Sequence, residues 1–244
     1  MIHISKLTQS FPGSQKPILD QLDLVIPAGQ FCLIIGANGC GKSTLLKLIT
    51  EELKADHGSI KCMDQTAKVV QDVNLGTVPE LTLLENIALS KIHSAKPLLY
   101  RRFTESITHT LKELDLGLER HLEQPLGTLS GGQRQIIATV MAIESGRKIL
   151  LLDEHTSALD PGTGALLMDY TQKAVAERNL TCLMVTHKMD DAIRFGERLL
   201  MLHKGKITLD VSGDAKKHMT VPALLSLFHR YEDELLISEH NHEL

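Results

Sequence analysis

The stretch Gly36-Ala37-Asn38-Gly39-Cys40-Gly41-Lys42-Ser43-Thr44 decides how this chain is read. It meets the pattern G-x-x-x-x-G-K-[ST] through Gly36, Gly41, Lys42 and Ser43, and such a loop cradles nucleotide phosphates. Each residue type has a physical task. The glycines let the backbone turn tightly and bring its N–H groups to phosphate oxygens. Lys42 supplies a cation for the β- and γ-phosphates. Ser43 offers a hydroxyl to Mg²⁺, an ion that takes few protein ligands and keeps several waters. A helix starting near Gly41 would add its dipole and unsatisfied N–H groups.

The flanks agree with the loop. Before it, Phe31 to Ile35 (FCLII) is a continuous apolar run, the pattern of a strand buried on both faces. After it, TLLKLITEEL has helical spacing. Strand, glycine loop and helix in this order separate the motif from a chance glycine turn.

Working outward, residues 1 to about 30 read as β-rich, and ILDQLDLVIP alternates as a half-exposed antiparallel strand does. Buried strands are predicted at the Val-Val pair before Gln71, at KILLL (Lys148 to Leu152), at TCLMVT (Thr181 to Thr186) and at RLLMLH (Arg198 to His203). Helical patterns, ALLMDYTQKAVAER and MDDAIRFG, separate the later strands. This alternation predicts an α/β fold with a mostly parallel sheet covered on both faces. The segment from about Asp72 to Leu129 has helical periodicity in LTLLENIALS and ITHTLKELDL, and reads as a helical insert. HKGK (His203 to Lys206) predicts a tight turn between antiparallel strands. From VPALLSLF onward the chain reads as a helix followed by an acidic, histidine-containing tail.

Bulk properties exclude several classes. The 43% hydrophobic content is enough for a proper core. With 26 basic and 30 acidic residues and no long basic block, a nucleic-acid surface is not expected. No apolar run approaches membrane-spanning length, and MIHISKLTQS lacks a signal-peptide pattern. Cys32, Cys40, Cys62 and Cys182 have no paired spacing and read as reduced thiols of a cytosolic protein. The histidines form no cluster at metal-ligand spacing; His240 and His242 read as solvated.

Two further motifs carry chemistry. KILLLDE ends a hydrophobic strand in Asp153 and Glu154, placing two carboxylates at the carboxyl edge of a sheet. Asp153 is expected to hold Mg²⁺, directly or through water. Glu154 is expected to accept a proton from the attacking water or polarise it. LSGGQ (Leu129 to Gln133) precedes the helical pattern RQIIATVMAI. Ser130 is the expected N-cap. Gly131 and Gly132 are poor for helix stability, but they let another group approach closely, here a γ-phosphate.

Together these motifs give the chain a resemblance to the nucleotide-binding subunit of ATP-binding-cassette (ABC) transporters, over nearly all of its 244 residues. GANGCGKST resembles the Walker A motif, LLLDE the Walker B motif and LSGGQ the signature. Gln71, in VVQDVNLG, matches the Q-loop glutamine that contacts Mg²⁺ and water and faces the membrane partner. Ser157 to Asp160 (SALD) matches the D-loop, and His187, in MVTHKM, the switch histidine, which implies a hydrogen bond to the γ-phosphate. Phe11, in TQSFPG, falls where the family has an aromatic that stacks on adenine. The resemblance implies a P-loop NTPase (RecA-like) core with an N-terminal antiparallel β subdomain and a helical subdomain insert. The 244 residues then form one ABC ATPase domain, with the insert at about 72–129 and a C-terminal extension at about 212–244. Ala37, Asn38, Gly39, Cys40 and Thr44 join the other loop residues around ATP, and Gln133 and Asp160 join Ser130, Gly131 and Gly132.

The resemblance also implies partners. Two copies pair head to tail, each ATP lying between one copy's Lys42 and the other's Ser130, Gly131 and Gly132. An integral membrane permease, together with a periplasmic or lipoprotein solute-binding protein, completes the assembly at the cytoplasmic face of the inner membrane. DEHTSALDP, QDVNLGTVPELTLLENIAL and MLHKGKITLDVSG resemble bacterial importers of the tryptophan/tyrosine amino-acid class. An exporter of lipid, lipoprotein or drug is the alternative. A soluble ABC ATPase of translation or DNA repair ranks last, because the chain has one cassette and no sustained heptads. Two positions depart from family usage. His155 stands where many relatives have proline, and Cys40 where a small residue is usual. Cys40 is either merely small or a reactive thiol activated by the helix N-terminus and Lys42.

Overall fold

The computed structural model describes residues 1–14, 16–70, 72, 75–91, 97–228 and 230, with backbone alone for 97–99. Gln71 and the tail histidines His240 and His242 lie outside the described residues. The chain divides into two compact units. One comprises Ile2–Ile26, Gln30–Lys61 and the residues from Met184 onward; the other comprises Met1, Pro27–Gly29 and Cys62–Leu183.

In the unit that carries the glycine loop, β1 (Ile2–Gln9) pairs antiparallel with β2 (Leu19–Ile26). The register sets Ile2 opposite Ile26 and Ile4 opposite Leu24. These four are buried while His3 and Val25, the pair between, are exposed, which is the period-2 alternation expected for ILDQLDLVIP. A third strand, β4 (His57–Cys62), lies on the other side of β1. The second sheet of this unit centres on β3 (Phe31–Ile35), all five residues buried. Each fully buried Leu or Ile there contributes about 1.5–3 kcal/mol, so Leu33→Asp should unfold the unit.

Strand β3 runs parallel to β8 (Arg198–His203), with Ile34 opposite Leu200. β9 (Lys206–Ser212) pairs antiparallel with β8. The hairpin turns at Lys204 and Gly205, with φ 47° and 76°. Two successive left-handed residues match the twist of the flanking strands, so HKGK forms the expected tight turn. The end of β7 (Thr181–Val185) lies beside β3. Helix α1 (Lys42–Ile49) follows the loop, and α6 (Met189–Arg194) follows β7. Lys216, from α7 (Gly213–Lys217), donates to the carbonyls of Ile193, Phe195 and Gly196 at 2.6–3.0 Å. It thereby satisfies the acceptors left open where α6 ends. A last helical segment, 221–228, buries Leu224.

In the other unit, β5 (Thr66–Val69) runs parallel to β6 (Ile149–Asp153), and β7 lies beside β6. The described part between Asp72 and Leu129 is helical, with α2 (Leu83–Lys91), a 3₁₀ segment Pro97–Phe103 and α3 (Thr104–Glu113). An isolated antiparallel bridge, Thr82 to Pro125, is the exception. α4 (Gly131–Glu144) and α5 (Pro161–Glu177) complete this unit. The Asp160 side chain caps α5 by accepting from Thr163 N–H, and Pro161 opens its first turn. Among the described residues, no helix is long and apolar enough to cross a membrane.

Candidate nucleotide site

The loop between β3 and α1 is built around two glycines, Gly36 and Gly41, that leave no room for a side chain. A Cβ on Gly36 would stand 2.3 Å from the Leu202 carbonyl oxygen of β8. Gly41 has φ 109°, a left-handed conformation, and a Cβ there would stand 2.9 Å from the Ile18 carbonyl oxygen. By contrast a Cβ on Gly39 meets nothing within 4 Å, so its φ of 77° alone favours glycine. Gly41 is the N-cap of α1, and no side chain caps this helix. The first-turn N–H groups are thus left for an anion, in the arrangement that suits a phosphate.

Lys42 is 6% exposed. Its ammonium donates to the Gly36 carbonyl at 2.7 Å and the Ala37 carbonyl at 2.9 Å, and lies 3.9 Å from Cys40 Sγ. The cation is therefore held inside the loop that the phosphates would enter. Ser43 follows on the first turn of α1, exposed. Burial pushes the Cys40 thiol above its ordinary range, and the nearby Lys42 only partly opposes this. Its burial is that of a small packed residue, and the raised pKa favours that reading over the activated thiol.

Two other expected residues lie near the loop. His187 is exposed and lies two residues beyond the end of β7. Thr186 N–H donates to the Ile34 carbonyl at 3.2 Å, so the chain carries His187 off at the level where β3 gives way to Gly36. Phe11 is 45% exposed, on the turn between β1 and β2. That turn ends at Ile18, the residue whose carbonyl confronts Gly41. An exposed aromatic ring on a polar turn is available for stacking on a base.

In the other unit, Asp153 closes β6 half-buried, and Glu154 follows with φ 50°. A left-handed backbone is unfavourable for a residue with a Cβ and recurs at functional sites. The turn is held by Ser157 N–H donating to the Glu154 carbonyl at 2.9 Å. Ser130 caps α4 in a complete capping box. Its hydroxyl accepts from Gln133 N–H at 3.2 Å, and Gln133 Oε1 accepts from Ser130 N–H at 3.0 Å. A Cβ on Gly132 would stand 3.0 Å from Leu159 Cδ2, so the signature turn and the D-loop touch. Asp160, at the end of that loop, has a carboxyl held below the usual range by the Thr163 N–H it accepts from.

Comparison with known proteins gives the family and the fold. Residues 19–157 match the family model described as ABC transporter. The chain is 40% identical to a tyrosine transport ATP-binding protein of Clostridioides difficile, over 93% of this chain and 98% of the relative. It is 34% identical to an aliphatic sulfonates import ATP-binding protein of Agrobacterium fabrum, over 86% and 79% respectively. Among solved structures it is similar to the dimeric, post-hydrolysis ATP-binding cassette MJ0796 bound to ADP and Pi. The TM-score is 0.75 and the identity 29%, covering 87% of this chain and 98% of that one. The chain belongs to the ABC transporter ATP-binding family. It is an ATP-hydrolysing protein with the P-loop NTPase fold.

Proposed function

We propose that this protein energises a bacterial importer for an amino acid of the tyrosine class, at the cytoplasmic face of the inner membrane. The observation that carries the reading is the 40% identity to a tyrosine transport ATP-binding protein over nearly the full length of both chains. Two copies pair, as the dimeric form of the similar cassette supports, and we infer that they do so head to tail. An integral permease and a periplasmic or lipoprotein solute-binding protein complete the transporter.

The roles follow from side-chain chemistry. Lys42 and the N–H groups of Gly39 to Thr44 hold the phosphates, with Gly36, Ala37, Asn38 and Cys40 shaping the loop and Phe11 stacking on the base. Ser130, Gly131, Gly132 and Gln133 of the second copy face the γ-phosphate, and Asp160 fixes the adjoining loop. Glu154 takes the proton of the attacking water, and His187 and Gln71 orient that water and the phosphate. Among the described residues no group of three or more His, Cys, Asp or Glu gathers as a metal site. The Ser43 hydroxyl, the Asp153 carboxylate and the Gln71 amide oxygen are hard donors of the kind that suits Mg²⁺. Bound there, Mg²⁺ would neutralise phosphate charge.

Residues 72–129 form the insert that faces the permease, and 212–244 a C-terminal extension. A groove of about 480 Å³ lies beside helix α2 of this insert. Ala67, Val69, Leu89, Ala138 and Met141 line it, with Lys68 and Arg147 among its polar residues. Affinity purification from native membranes in mild detergent, followed by mass spectrometry, tests the reading. Recovery of a permease with a solute-binding protein that binds tyrosine or tryptophan is the expected result. Recovery with an outer-envelope adaptor would shift it to export, and recovery with ribosomal or repair proteins alone would sink it.

A further inference from the structure

Helices α2, α4 and α5 meet at one buried carboxylate. Glu144, the last residue of α4, is 8% exposed. Its Oε2 lies 2.5 Å from Lys91 Nζ, at the end of α2. Its Oε1 accepts from Arg178 Nη2, the C-cap residue of α5. Arg178 Nη1 also donates to the Ile143 carbonyl at 3.3 Å, and Lys148 Nζ donates to the Arg178 carbonyl at 3.1 Å. Lys91 extends the network to Ser106 Oγ of α3, at 3.4 Å. Burial pushes the Glu144 carboxyl up, but the hydrogen bonds from Lys91 and Arg178 outweigh it and hold the group below its usual range.

Stability alone is a poor reason for this arrangement. Apolar side chains of similar volume commonly serve a helix junction as well as a buried ion pair, because they avoid desolvating the charges. What charge adds is direction: a carboxylate with two cations accepts one orientation of each helix. The far ends of two of these helices carry expected nucleotide contacts. α4 begins at Ser130 and α5 at Asp160, and they touch there through Gly132 and Leu159. Helix α2 carries Leu89 and Ser90, which line the groove. α4 has 14 residues. At 1.5 Å per residue it is about 21 Å long, so a tilt of about 3° at Glu144 moves the signature turn by about 1 Å. An error of that size is enough to impair phosphoryl transfer substantially.

We propose that Glu144 is a positioning residue for ATP hydrolysis, pinning the C-terminal ends of α2, α4 and α5 so that the signature turn and the D-loop meet the nucleotide as one body. This rests on the reading of Ser130 to Gln133 and Asp160 as nucleotide-facing. The network shares no residue with the phosphate loop, so it should act on turnover and not on ATP affinity.

The test measures kcat, ATP dissociation constant and thermal midpoint for the full chain and for Glu144→Gln, Lys91→Met, Arg178→Met and Arg178→Lys. All are assayed well below their own midpoints. The expected result is a drop in kcat of about tenfold in Glu144→Gln and Arg178→Met, and about threefold in Lys91→Met. ATP affinity should stay within about twofold, and Arg178→Lys should recover part of the turnover. If Glu144→Gln does not fold, Lys91→Met decides, because it leaves the Arg178 pair in place. Turnover within twofold of wild type in these variants, or losses of kcat and affinity that track the fall in midpoint, would overturn the proposal. A wild-type chain without ATPase activity would instead sink the functional reading on which it rests.

Discussion

Helices α1 and α4 both begin at glycines expected to lie near phosphate, but their N-termini are finished in opposite ways. α1 starts behind Gly41 in a left-handed conformation with no side-chain cap. α4 starts behind Ser130 with both halves of a capping box closed. The first helix leaves its N–H groups to be satisfied by a ligand, so its start should tighten when nucleotide binds. The second satisfies two groups within itself, so its turn keeps its shape with or without nucleotide. On the proposed function, one end would bind and the other would present a preset surface, with Gly131 and Gly132 keeping it low. On that reading the first would serve binding affinity and the second turnover.

Several changes would break or sharpen that contrast. The largest effect is expected from Glu154→Gln, on the unit that carries α4. Turnover should fall about 10²- to 10⁴-fold, the span of a general acid–base group, while ATP affinity is retained. Steady-state hydrolysis beside nucleotide titration checks this, and near wild-type hydrolysis would remove Glu154 from the base role. Lys42→Ala, on the α1 side, should weaken ATP binding about 10- to 100-fold, through loss of charge-assisted hydrogen bonds. Unchanged affinity would show that the loop N–H groups suffice.

Ser130→Ala removes the cap of α4, worth about 1 kcal/mol. The thermal midpoint should fall by about 2–4 °C while the affinity of one chain for ATP stays unchanged. A lowered affinity would contradict the division of labour. A milder effect is expected from pH. The Glu144 carboxyl is depressed in the folded protein, so its stabilising contribution is fully present above the unfolded carboxylate pKa, about 4.3. It is lost as pH falls through the folded value. Chemical denaturation from pH 7 to pH 3 should show wild type losing its advantage over Glu144→Gln only in the acidic range.

The smallest effect belongs to Cys40→Ser, which should leave ATP affinity within about twofold. With its pKa raised by burial, the thiol should alkylate slowly at pH 7 and faster only as pH rises beyond the ordinary thiol range. Rapid labelling at neutral pH, blocked by ATP, would restore the activated-thiol reading.

Much of this was legible before any coordinates. The phosphate loop could be read because its function needs a contiguous run of residue types. Ser130 could be read as a cap because capping is local, acting over three residues; the cap that Asp160 gives α5 is local too, but it emerged only from the structure. The strands at Phe31 to Ile35 and Arg198 to His203 fell where continuous apolar runs placed them. The HKGK turn followed from a glycine between two β patterns. The conformation of Glu154 was not legible, since nothing in LLLDE marks a φ of 50°. Nor was the state of Cys40: the sequence allowed a merely small residue or a thiol activated by helix start and lysine, and burial, a property of the packed loop, raises its pKa.

What the amino-acid order determined by itself is the family chemistry: a loop for phosphate, carboxylates at a strand end, a signature turn. These are short motifs whose atoms act on neighbours a few residues away. What only the tertiary structure decided is which distant groups share one low-dielectric environment. Lys91, Glu144 and Arg178 are separated by tens of residues and follow no spacing rule. Nothing local requires a carboxylate at the end of α4 to meet two cations from other helices. Helix packing brings them together, and burial then makes their charges strong enough to matter.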